Sequence, residues 1–160
     1  MTRERHLARL LALLVPAALL AGAWGSQLLG GLYPCEMCHW QRWPHYAALV
    51  PAALAFAIEG RARWVLVGIA AALLAISGAI GVFHAGVEYG WWRGITSCTS
   101  TVAMGGTTAA ERLKAILDAP LVRCDRAPWT LAGVSLAGFN AVFSLGGAAT
   151  IWALLSRRAR

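Results

Sequence analysis

Formal charge is scarce in this sequence. Of its 160 residues only 13% are Asp, Glu, Lys or Arg, and four long stretches hold none. Leu10 to Pro34 is 25 residues long, Trp43 to Ile58 16, Trp64 to Phe83 20 and Trp129 to Leu155 27. With 59% hydrophobic residues, this excludes an ordinary soluble domain. Negative charge is scarcer still, 7 acidic against 14 basic residues for a net +7. A basic surplus can mean nucleic acid, but a basic amphipathic face is also lacking. The arginines stand in short clusters beside apolar runs, a pattern of membrane topology that leaves nucleic acid out as a partner. A second tight cysteine pair is missing too. Cys35 and Cys38 are spaced C-x-x-C, whereas 25 residues separate Cys98 from Cys124. Structural zinc usually takes its ligands as two tight pairs, so no metal is expected.

What is present reads as helices that cross a bilayer. About 20 apolar residues suffice for one span, and spans are expected at about residues 10–30, 43–58, 64–83 and 129–155, with outer loops at about 31–42 and 84–128. Arg3, Arg5 and Arg9 ahead of an apolar run, with Ala21-Gly22-Ala23 after it, also fit a cleaved signal peptide. The apolar run continues well past that site, which favours a span. Pro44 and Pro51 lie in the second run; a proline can open a membrane helix or kink it. Glu59 to Arg63 makes a short turn. In the second loop Gly105-Gly106-Thr107-Thr108 is a flexible segment, and Ala110, Leu113, Ala115, Ile116 and Leu117 interleave with charges as one or two helical turns with an apolar side. Small residues four apart, Gly68 with Ala72, Ser77 with Gly81 and Ser144 with Ala148, would let helices pack closely.

Orientation follows from the basic residues. Residues 1–9, 59–63 and 156–160 hold 8 of them in 19 positions, the opposite loops 35–42 and 84–128 hold 6 in 53. The dense side is cytoplasmic by the positive-inside rule. Both termini then lie inside and all four cysteines face the opposite compartment. Trp64 and Trp152 near the inner ends, and Trp40, Trp43, Trp91, Trp92 and Trp129 near the outer ends, fit interfacial belts. The expected fold is all-α: an integral membrane four-helix bundle with two outer loops, the second long and carrying a short surface helix.

In an oxidising compartment, a C-x-x-C at the mouth of a membrane helix favours thiol-disulfide chemistry. Arg42 follows Cys38 by four residues, so a helix would set both on one face. A guanidinium and a helix N-terminus both favour the reactive thiolate. Read alone, Arg42 also fits an arginine snorkelling to headgroups. Cys98 and Cys124 fit either a structural bridge, worth about 3 kcal/mol in the chain-entropy model, or the second half of a redox relay.

The combination of Cys35-Glu36-Met37-Cys38-His39-Trp40-Gln41-Arg42-Trp43-Pro44 after one span, His84-Ala85-Gly86-Val87-Glu88 at the end of the third, and Cys98 and Cys124 in the second outer loop closely resembles the bacterial disulfide bond formation protein B (DsbB) family. The resemblance covers essentially the whole chain. It implies a protein of the bacterial inner membrane, its active face periplasmic, that reoxidises a periplasmic DsbA-like thioredoxin-fold thiol oxidase and passes the electrons to a membrane quinone, ubiquinone or menaquinone. Such a partner is strongly oxidising, so a stronger oxidant must regenerate it. Carried over, Cys98 forms the mixed disulfide with the partner, Cys124 exchanges with Cys35, and Cys38 as thiolate faces the quinone. Arg42 bonds a quinone carbonyl. His84 lines up with a quinone-side histidine of some members once a one-residue shift is allowed. Gln41 stands where some relatives carry an acidic residue, leaving the local field more positive.

Cys35 to His39 is also the C-x-x-C-H signature of covalent c-type haem attachment, so a membrane-anchored cytochrome is the sharpest rival. Against it, the loop around the motif is too short to wrap a haem, and the second cysteine pair would have no task. Proteins like vitamin K epoxide reductase share the relay logic but order their two pairs differently along the chain.

Overall fold

The computed structural model describes residues 3–96, 98, 108–117 and 122–157. Four long helices dominate: α1 (Arg3–Leu28), α2 (Glu36–Ala57), α3 (Gly60–Glu88) and α5 (Leu136–Ser156), with a short α4 (Ala109–Leu117) in the second loop. Gly105, Gly106 and Thr107 of the flexible segment expected at 105–108, and the last three residues, lie outside the described ones. α1, α3 and α5 are long and apolar enough to cross a membrane. α2 is not among them, because Glu36, Arg42 and two histidines dilute its first half.

The helices alternate in direction. Arg157 after α5 lies 3.6 Å from Glu4 of α1, Arg5 stands over the Trp64 ring of α3 and Arg9 over Phe56 of α2. Both chain termini and the α2–α3 turn therefore share one end, and the cysteine-bearing loops occupy the other. That turn is two residues, Ile58 and Glu59, placing Arg61 and Arg63 within α3 rather than in the connection.

At the terminus end the core is alanine: Ala8, Ala12, Ala48, Ala52, Ala55, Ala70, Ala71 and Ala148 surround Val67, Leu74, Ile151 and Leu154. Large side chains point outward instead. Leu14, Val50, Ile69, Ile76, Val142, Phe143 and Trp152 are exposed, the inverse of a soluble helix bundle and the surface lipid requires. α3 and α5 approach closely: a Cβ on Gly78 would lie 2.7 Å from Leu145, and one on Gly81 3.0 Å from the Ala137 carbonyl. Ser77 with Gly81 and Ser144 with Ala148 belong to this interface, buried as their spacing suggested. Gly68 with Ala72 does not; Ala72 is exposed.

Two boundaries differ from expectation. α2 begins at Glu36, seven residues before the expected span, because Cys35 caps it: its extended backbone and its sulfur, accepting from the Cys38 N–H at 3.3 Å, start the helix inside the C-x-x-C. Residues 129–135, expected as the start of the last span, instead form a hairpin, β1 (Thr130–Leu131) antiparallel to β2 (Val134–Ser135). Ala132 and Gly133 both take positive φ, 51° and 79°, as a two-residue I′ turn demands. The fold is thus mostly helical with this one small sheet among the described residues, not purely α. Ser135 then caps α5, accepting from the Gly138 N–H at 3.1 Å.

Candidate functional site at the cysteine end of the bundle

The turn into α2 sets the first two thiols. α1 ends at Leu28 and the chain turns at Gly31, whose φ of 65° favours glycine, and the Leu32 N–H returns to the Ser26 carbonyl. Tyr33-Pro34 runs extended into Cys35. Cys35 and Cys38 are both free thiols, their sulfurs 2.9 Å apart, one turn ahead of the apolar stretch that begins at Trp43. They do not share charge equally. The hydrogen bond from Cys35 is the largest cause holding Cys38 below the usual thiol range, and Arg42 adds a smaller push the same way. That same hydrogen bond, then burial, drives Cys35 far above it. The pair therefore sheds its first proton from Cys38, at the positive end of the helix.

Cys98 and Cys124 are joined in a disulfide, Cα atoms 5.5 Å apart, with the Cys124 N–H bonded to the Cys98 carbonyl. The Thr96 hydroxyl lies 3.0 Å from Cys98 Sγ. Trp92 brings this loop back over the bundle: it stacks on Phe83 and donates its indole N–H to the Phe83 carbonyl. Gly86 makes room for it, since a Cβ there would overlap the Trp92 ring. As a result Cys35, Cys98 and Cys124 fall in one buried cluster with Met37 and Val87, and the half-buried Cys38 packs against it.

His84 stands behind Cys35. Its Nε2 is 3.5 Å from Cys35 Sγ and 3.7 Å from Glu88 Oε1, and the Cys124 backbone carbonyl faces the ring. Gln41 donates to Nδ1 at 2.7 Å, so the ring proton sits on Nε2, toward the sulfur. His84 thus touches both cysteine pairs and does not line the cavity described next. Cys35, Cys38 and His84 also offer three ligand atoms within 4.8 Å of one another.

On the other side of Cys38, α1, α2, α5 and the residues ahead of the hairpin enclose a cavity of about 280 Å³. Cys38, Arg42, Gln41 and His45 line it together with Tyr33, Trp129, Phe139 and Asn140. Arg42 is buried, and its partners among the described residues are neutral oxygens: Gln27 Oε1 at 2.7 Å and the Ala23 carbonyl at 3.0 Å. The guanidinium also lies 5.5 Å from the Trp24 ring centre. The buried Arg42 guanidinium, held by neutral oxygens, gives a largely apolar cavity shared with Cys38 one positively charged wall.

Sequence reasoning missed a polar network joining α2, α3 and α5. Asn140 Nδ2 donates to Gln41 Oε1 at 2.8 Å, His45 Nε2 lies 2.8 Å from both Asn140 Oδ1 and Ser77 Oγ, Ser77 donates to the Gln41 carbonyl, and Ser144 donates to Asn140. The signal was available: His45 and Asn140 interrupt runs without formal charge, and polar groups at membrane depth are functional by default. His39, the axial ligand of the cytochrome reading, is exposed, while both neighbouring thiols turn inward.

A family model described as disulfide bond formation protein DsbB matches residues 5–154 of the chain. No curated protein and no solved structure matches it.

Proposed function

Because the chain belongs to the DsbB family of membrane disulfide-bond formation proteins, we propose that it spans the bacterial inner membrane four times, reoxidises a periplasmic DsbA-like thiol oxidase through Cys98, and delivers the electrons to a membrane quinone at Cys38. The observation that carries this reading is the packing of both cysteine pairs against one another, with Cys38 alone of the four on the cavity that holds Arg42.

In the proposed relay a partner thiolate attacks Cys98 Sγ and displaces Cys124 as thiolate. The partner's second thiol resolves the mixed disulfide, leaving the partner oxidised and Cys98 and Cys124 reduced. Cys124 then attacks Cys35 of a Cys35–Cys38 disulfide, with Cys38 departing as the favoured thiolate. Cys98 attacks Cys124 and releases Cys35, restoring the Cys98–Cys124 bond. Two electrons have moved from the partner dithiol to Cys35 and Cys38, the pairing found here. His84, with its Nε2–H toward Cys35, steadies that sulfur as it leaves. Arg42 fits a ligand carbonyl with the N–H groups not already given to Gln27 and Ala23. A quinone, when bound, supplies the two-electron acceptor; ubiquinone and menaquinone both suit a chamber of these residues.

Titrating the purified protein with quinone while scanning visible absorption tests this. A thiolate stacked on the ring gives a charge-transfer band, expected in the wild type and lost in Cys38→Ser. Oxidation of a dithiol thioredoxin-fold partner should require all four cysteines. Full turnover by the Cys98→Ser, Cys124→Ser double variant would falsify the relay.

A further inference from the structure

The end of the bundle that carries the termini holds a second cavity, of about 540 Å³, lined from α1, α3 and α5. Its α3 wall is one face of that helix. Arg61, Trp64, Gly68 and Ala72 recur at three- and four-residue spacing, so the groove runs about 16 Å from the charged end of α3 toward the middle of the span. Gly68 keeps it open, since a Cβ there would meet only Trp152, at 3.9 Å. Ile69, Ala72 and Trp152 are exposed, so in a membrane this groove faces lipid.

Charge at this end is unevenly matched. Its two acidic residues are both taken: Glu4 lies 3.6 Å from Arg157 and Glu59 3.7 Å from Arg63. Arg5 and Arg61, both on the groove, have neither an ion pair nor a side-chain hydrogen bond among the described residues. Arg5 lies with its guanidinium over the Trp64 ring, 5.1 Å from the centre, a stacking that leaves its N–H edge able to donate. Glu59 makes no side-chain cap bond to α3, so the positive end of the helix dipole adds to Arg61 in the first turn.

Two arginines without counter-ions at the head of an apolar, indole-flanked groove fit a molecule with a phosphate at one end and a hydrocarbon chain at the other. We propose that this groove binds an anionic phospholipid, its phosphate held by Arg5 and Arg61 and one acyl chain laid along α3 past Gly68. A zwitterionic lipid offers the same phosphate but cancels its charge with an ammonium, so the arginines select lipids of net negative charge. The site stands apart from the cysteines and does not depend on the quinone reading.

The full-length protein, stripped of lipid in detergent and titrated with phosphatidylglycerol or with phosphatidylcholine of the same chains, tests this by native mass spectrometry of the adducts. Each arginine near an anionic headgroup contributes roughly fivefold, so one phosphatidylglycerol should bind about 25-fold more tightly than phosphatidylcholine. The Arg5→Gln, Arg61→Gln double variant should lose that preference. Gly68→Leu, which fills the chain's slot without touching charge, should lose the adduct. Arg3→Gln removes a charge at the same end but off the groove and should leave affinity unchanged within about twofold. Equal binding of the two lipids by the wild type, a comparison that needs no variant to fold, would overturn the proposal. So would an equal loss in Arg3→Gln and Arg61→Gln single variants, which would mean diffuse surface charge. Displacement of the lipid by glycerol phosphate would assign the arginines to a free phosphate, and a dimer in place of the adduct would assign the groove to a second copy; either result overturns the lipid site.

Discussion

The two ends of this bundle are built on opposite principles. At the end carrying the termini, alanines from all four long helices meet around Leu74 and Ile151, and attraction comes from close packing of small groups. At the end carrying the cysteines, Gln41, His45, Ser77, His84, Asn140 and Ser144 are tied by directional bonds. Packing is non-directional, whereas hydrogen bonds constrain angle as well as distance. The difference teaches that the first end secures the helices while the second fixes the polar groups around the thiols.

Breaking the cysteine end should have the largest consequence. Cys35→Ser or Cys124→Ser is expected to bring turnover to background in a partner-oxidation assay, while leaving thermal stability of the alanine end unaltered. Next comes Arg42→Ala, which removes a charge-assisted contact of about 1.5–3 kcal/mol and should raise the apparent quinone KM by about 10- to 150-fold, with partner binding unchanged. An unaltered KM would reduce Arg42 to a membrane anchor.

Leu74→Ala attacks the other end. The cavity it leaves should cost about 2–5 kcal/mol in a thermal or denaturant melt, with no change in Cys38 alkylation. A slowed alkylation would show that the two ends are coupled. The pH profile of that alkylation sharpens the picture. Cys38 is held below the thiol value of 9.0, so its reactivity should persist beneath that pH and decline only as pH falls through the lowered value. Cys35→Ala removes the largest cause of the shift and should move the midpoint upward. Smallest of all is Gly68→Ala. Its new methyl would meet Trp152 no closer than 3.9 Å, so stability should move by less than about 1 kcal/mol, whereas Gly78→Ala forces Leu145 aside and should cost about 1–3 kcal/mol.

Much of this was legible beforehand because charge exclusion from lipid writes itself into sequence. The long uncharged runs mark α1, α3 and α5, and the spacing from Cys38 to Arg42 required a helix to bring them to one cavity. The start of α2 was not legible, since a cysteine rarely serves as an N-cap and the apolar signal begins only at Trp43. Nor was the hairpin at 130–135, whose Ala132 takes a left-handed φ that the residue does not advertise.

The sequence by itself determined the family and the membrane character and singled out the four cysteines, because each depends on residue type and local spacing. Only the tertiary structure decided that Cys98 and Cys124 pack against Cys35 and that His84 stands behind that sulfur rather than on the cavity. Those are contacts between residues 49 to 89 positions apart, and no local pattern carries the geometry in which helices and a loop converge.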